Sequence, residues 1–140
     1  MKPKPLVALC LFILLSFGIH KTWAQQSAID SLYQKMGKET GEERTKTILA
    51  LSQLISSANQ SEAETLLLSL LAEGNHNDET LLSIYKNLSN IYLVGYFNPE
   101  KAFDVMKKYV EIAHRVNNPE YLLIAKIMEG NYNYYNNSPD

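Results

Sequence analysis

Past residue 24 the chain has no cysteine and no tryptophan; Cys10 and Trp23 are the only ones it has. A disulfide-stapled fold and thiol chemistry are therefore excluded for residues 25–140. Histidine is nearly absent there too, with only His76 and His114 and no HExxH pairing, so no metal site is expected. Glycines 37, 41, 74, 95 and 130 are scattered, which leaves no phosphate-cradling loop and no Gly-x-Ser-x-Gly elbow. Basic charge is also scarce. Of 13 Lys+Arg, three lysines lie in residues 1–24, leaving 10 bases against 15 acids and a net charge of −5. A polyanion has nothing to bind, so nucleic acid is excluded as a partner.

The longest apolar run, Leu6–Ile19, has 14 residues, whereas a membrane span needs about 20. Lys2 and Lys4 precede it, and Thr22-Trp23-Ala24 follows with small residues at its first and third places. That order is a cleavable signal peptide, cut after Ala24 to leave Gln25 first. Cys10 follows Leu9 inside the run, unlike a lipidation site. The sequence thus predicts an exported protein, periplasmic or secreted, and the lack of disulfides favours a bacterial periplasm.

What is abundant is helix punctuation. Asn98-Pro99-Glu100, Asn118-Pro119-Glu120 and Ser138-Pro139-Asp140 each present a capping residue, a proline and an acid, 20 residues apart. The cap bonds free amides, proline suits the first turn and the acid meets the positive end of the dipole. Asp78-Glu79, Asn59–Glu62 and Thr40–Glu43 continue the series backwards. Between these starts, apolar residues recur at helical spacing. The stripes are Ile29, Leu32, Tyr33, Met36; Ile48, Leu51, Leu54, Ile55, Ala58; and Ala63, Leu66, Leu67, Leu70, Leu71. They continue as Leu81, Tyr85, Leu88, Tyr92; Ala102, Met106, Tyr109, Ala113; and Tyr121, Ala125, Met128, Tyr132, Tyr135. Helices are predicted over 28–37, 42–57, 62–73, 79–95, 99–116 and 119–135. Two successive helices make a unit of about 40 residues, the period of an alpha solenoid.

Asn87-Leu88-Ser89-Asn90-Ile91-Tyr92 followed by Pro99-Glu100-Lys101-Ala102-Phe103 resembles a tetratricopeptide repeat (TPR). Leu88, Ser89, Tyr92, Ala102 and Met106 take the repeat positions. The chain departs from the family in three ways: the Tyr92–Ala102 interval is one residue longer, Tyr109 stands where a second alanine is common, and the early tryptophan is missing. The resemblance implies an all-α fold of antiparallel helix-turn-helix pairs stacked as a short TPR-like solenoid. Its parts are a signal peptide (1–24), a short helix and linker (25–41) and repeats over 42–140, divided as 42–78, 79–118 and an incomplete 119–140. The signal peptide, the Asp30-Ser31-Leu32 helix and degenerate repeats also resemble the N-terminal sensor region of exported bacterial histidine kinases and transcriptional regulators. That resemblance implies the N-terminal part of a larger signalling protein.

The resemblance further implies a concave groove faced by Lys86, Asn90 and Leu93, with Lys126 and Asn133 corresponding in the next repeat. Lys86 and Asn90, four apart, share a helix face. Most tyrosines fill core stripes, whereas Tyr96, Tyr134 and Tyr135 lie near helix ends and offer an aromatic patch. The expected function is a non-enzymatic protein–protein interaction or sensory scaffold without cofactor or metal, its partner a protein or peptide. The competing expectation is a periplasmic helical bundle closing around a small molecule. The array is expected to be open at its C-terminal end, with the sixth stripe wet on one side and available for self-association.

Overall fold

The computed structural model describes residues 25–137. The predicted signal peptide (1–24) and the predicted helix start Ser138-Pro139-Asp140 lie outside the described residues. The fold is all-α: α1 over 25–36, α2 (Gly41–Ile55), α3 (Gln60–Glu73), α4 (Asp78–Asn90), a π-helical turn Ile91–Gly95, α5 (Pro99–Val116) and α6 (Pro119–Asn137). Each predicted helix is present with ends within three residues of expectation, except that α4 stops at Asn90, five residues before the predicted end, and passes into the π-helical turn.

Asparagine sets most of the starts. Asn59, Asn77 and Asn98 accept side-chain bonds from the amides of Glu62 (3.3 Å), Thr80 (2.9 Å) and Lys101 (3.0 Å). Asn118 accepts from Glu120 (2.9 Å). Each cap satisfies an amide that the helix itself leaves open. Thr40 makes no such bond; Glu43, which a capping box would turn back towards it, pairs instead with Lys46 at 3.1 Å. Gly74 ends α3 with φ +68°, and Asn117 ends α5 with φ +53°, both left-handed stops. His76 is half-buried, and its Nε2–H donates to the Leu70 carbonyl at 2.6 Å, filling an open acceptor at the end of α3.

Neighbouring helices run antiparallel, and the same kind of ion pair closes two of the hairpins. Arg44 near the start of α2 meets Glu73 at the end of α3 (2.5 Å). Arg115 near the end of α5 meets Asp78 at the start of α4 through two bonds, 2.5 and 3.2 Å. Each helix from α2 onward packs on the next, and α2 also reaches α4.

The core has two parts that share α4. Ile48, Leu51, Leu67, Leu70, Ile84, Leu88 and Ile91 build the first, with α1 laid against it through Ile29, Leu32, Tyr33 and Met36. Met106, Tyr109, Ile112, Ala113, Ala125 and Met128 build the second, together with Leu82. Because α4 packs on both sides, its apolar surface is wider than the single predicted stripe. Leu82 and Ile84, outside that stripe, are fully buried, whereas Leu81 and Tyr85 are half-buried. Leu88, Ser89, Tyr92, Ala102 and Met106 are all buried.

Candidate functional site

The departure from regular helix falls at the end of α4. A π turn accommodates one more residue than an α turn, and here Ile91–Gly95 takes up the extra length between Tyr92 and Ala102. The Tyr96 amide donates to the Ile91 carbonyl (2.9 Å), and the Asn98 amide reaches back to the Tyr92 carbonyl (2.7 Å). This wrap tilts the chain sharply before α5. A Cβ on Gly95 would come within 2.9 Å of the Gln60 side chain, so the turn runs close over the start of α3.

The wrap also turns apolar side chains outward. Phe97 has φ +51° and is 73 % exposed, and Val94 is 56 % exposed. A bulky residue in the left-handed region is strained, and such strain concentrates where a surface is used. Two recesses open to solvent flank the turn. One, of about 330 Å³, is lined by Ser56, Gln60, Asn90, Val94 and Gly95 among others; the second, of about 220 Å³, by Leu93, Phe97, Pro99 and Tyr135.

Beneath the turn lies an anchor. The Tyr92 hydroxyl donates to Glu64 Oε1 (2.9 Å), and the Lys101 ammonium sits 5.3 Å from the Tyr92 ring centre. Burial, reinforced by the Glu64 bond, pushes the Tyr92 phenol up to about 12. Burial followed by Glu64 also raises the Tyr96 phenol. Tyr92 stays protonated and acts as a donor, and its bond to Glu64 fixes the turn against α3.

The groove candidates divide. Lys86 and Asn90 are exposed on one face of α4, and Asn90 lines the larger recess. Leu93 does not join them: at 6 % exposure it belongs to the first core, because the π turn rotates it inward. Lys126 and Asn133 are exposed on α6.

The chain matches no protein-family model, no curated protein and no solved structure. The site therefore rests on its own geometry. Among the described residues no group of three or more His, Cys, Asp or Glu is placed to hold a metal ion, and no helix is long and apolar enough to cross a membrane. A more polar recess of about 420 Å³ lies between the start of α2 and the α3–α4 turn, lined by Gly41, Glu42, Thr45, Glu73, His76 and Thr80.

Sequence reasoning missed Val94 and Phe97. The signal was present: two large apolar residues, off any helical stripe, stand on either side of Gly95 just before the Asn98 cap. Of the predicted aromatic patch, Tyr96 and Tyr135 flank the π turn, and Tyr134 packs edge-on against Tyr135 with ring centres 5.4 Å apart.

Proposed function

We propose that this chain is an exported, non-enzymatic interaction scaffold of TPR-like repeats, the sensory N-terminal part of a larger signalling protein. Its partner is a protein or peptide segment that docks at the π turn. The observation that carries this reading is Phe97, a strained and largely exposed aromatic held between two open recesses. An apolar side chain of the partner would enter the recess beside Leu93 and Pro99. Asn90 and Gln60 would supply hydrogen bonds on the other side. A few large side chains that become buried in pockets at the centre of an interface carry most of its binding energy, and Phe97 is the large exposed side chain placed to do so here. The open recesses suit an extended segment better than an enclosed small molecule.

Selection of displayed peptides on the immobilised protein tests the reading. Peptides sharing an apolar anchor should be enriched and should bind at least tenfold more weakly to Phe97→Ala. Enrichment without a shared sequence, or equal binding to Phe97→Ala, would overturn it. Export is tested separately: the mature protein should begin at Gln25, and recovery of a chain still starting at Met1 would remove that part of the proposal.

A further inference from the structure

The outer face of α6 carries an apolar stripe that is largely open to solvent among the described residues. Leu123 is 59 %, Ile127 53 % and Tyr134 70 % exposed. With Gly130 they are spaced 4, 3 and 4 residues apart, and that spacing keeps all four on one side of the helix. They lie opposite Ala125 and Met128, which pack into the second core. The equivalent positions 40 residues earlier are Ser83, Asn87 and Asn90 on α4 and Val94 in the π turn. The face is mostly polar on α4 and apolar on α6, so repeat architecture alone does not explain it.

Gly130 is the second observation. It sits inside a 19-residue helix, where glycine is unfavourable relative to alanine. Among the described residues a Cβ there would meet nothing within 4 Å. Its smallness serves no contact among them, yet it opens a notch in the middle of the stripe.

We propose that this face is a self-complementary seam through which two copies of the chain pair, α6 against α6, in antiparallel orientation. The 4-3-4 spacing reads the same in both directions. Reversal therefore places Leu123 opposite Tyr134 of the second copy and Ile127 over the notch at Gly130 of the second copy. On the flank, Lys126 meets Asn133 of the second copy instead of another lysine, so no like charges oppose each other. A parallel pairing would stack Gly130 on Gly130 and leave a gap at the centre. Three exposed apolar residues and a notch make a small interface, so the dimer is weak and transient. The seam adjoins the π-turn site at one end, where Tyr134 packs against Tyr135 of the smaller recess, but it does not include Phe97.

Sedimentation velocity on the exported protein between about 1 and 500 µM tests the proposal. A monomer–dimer equilibrium is expected. Ile127→Glu should weaken it at least tenfold, and Gly130→Leu, which fills the notch, should do the same. Phe97→Ala should leave it unchanged. Circular dichroism on each variant confirms that the exposed substitutions keep the fold. Orientation is read from a charge pair. Leu123→Lys and Tyr134→Glu should each weaken the dimer, and the double variant should recover association, because antiparallel pairing sets lysine against glutamate at both ends. A protein that stays monomeric at every concentration, or a dimer insensitive to Ile127→Glu, overturns the seam. A double variant weaker than both singles overturns the antiparallel orientation.

Discussion

Tyr92 and Glu64, 28 residues apart, are joined by a single 2.9 Å hydrogen bond that ties the π turn to α3. Tyr33 makes the same kind of bond to Glu62, two residues earlier on α3, at 2.5 Å. In both cases a protonated phenol bridges to a carboxylate, so the bond exists only while the phenol keeps its proton.

That condition predicts an alkaline weakness. The Glu62 bond, with burial behind it, pushes Tyr33 to about 12, and burial with Glu64 pushes Tyr92 to about 12, against an ordinary value of 10. A folded-state value raised above the unfolded one contributes stability that is full below pH 10 and is lost as pH rises to 12. The urea midpoint should therefore fall across that window. In Tyr92→Phe the fall should be shallower, from a lower starting midpoint at pH 8.

Phe97 predicts a trade between stability and binding. A left-handed residue other than glycine costs roughly 1–2 kcal/mol, and asparagine tolerates the region better. Phe97→Asn should raise the melting midpoint while lowering affinity for selected peptides. A lower midpoint would mean that Phe97 contributes more through packing than it costs in strain.

Tyr109 predicts a stabilising deletion. Its hydroxyl is buried between α5 and α6 and, alone among the buried side-chain polar atoms of the described residues, has no hydrogen-bond partner. An unsatisfied buried hydroxyl costs about 1–3 kcal/mol. Tyr109→Phe removes it and keeps the ring, so the urea midpoint should rise.

Ala102 predicts the reverse. It is buried where the start of α5 meets the first core. Ala102→Leu should cost about 1–3 kcal/mol by overpacking. Glu111→Leu, exposed on the same helix, should change the midpoint little. Equal effects would show that α5 is rotated from the position described.

The helices were legible in the sequence because their starts carry local signals. An asparagine cap followed by proline and an acid fixes a boundary without reference to the rest of the molecule. Core membership was less legible. A single stripe describes a helix packed on one side, and α4 packs on two, which is why Leu82 and Ile84 were missed. Leu93 was misplaced for a related reason: a π turn shifts every later residue relative to α-helical periodicity, and only hydrogen bonding reveals the turn. The predicted stripe of α6 packs inward instead of staying wet: Ala125 and Met128 are buried, Tyr121 and Tyr132 pack against the second core, and of its members Tyr135 alone is exposed, whereas the exposed apolar face consists of Leu123, Ile127 and Tyr134, which lie on the other side of the helix.

Packing between successive helices has a kinetic consequence. When each helix finds its partner next in the chain, few long loops must close before contacts form, and chains of this kind fold in microseconds to milliseconds. Since α4 belongs to both halves of the core, neither half can complete without it. The transition state should therefore gather around α4, with substitutions at Ile84 and Leu88 slowing refolding and those at Met128 mainly hastening unfolding.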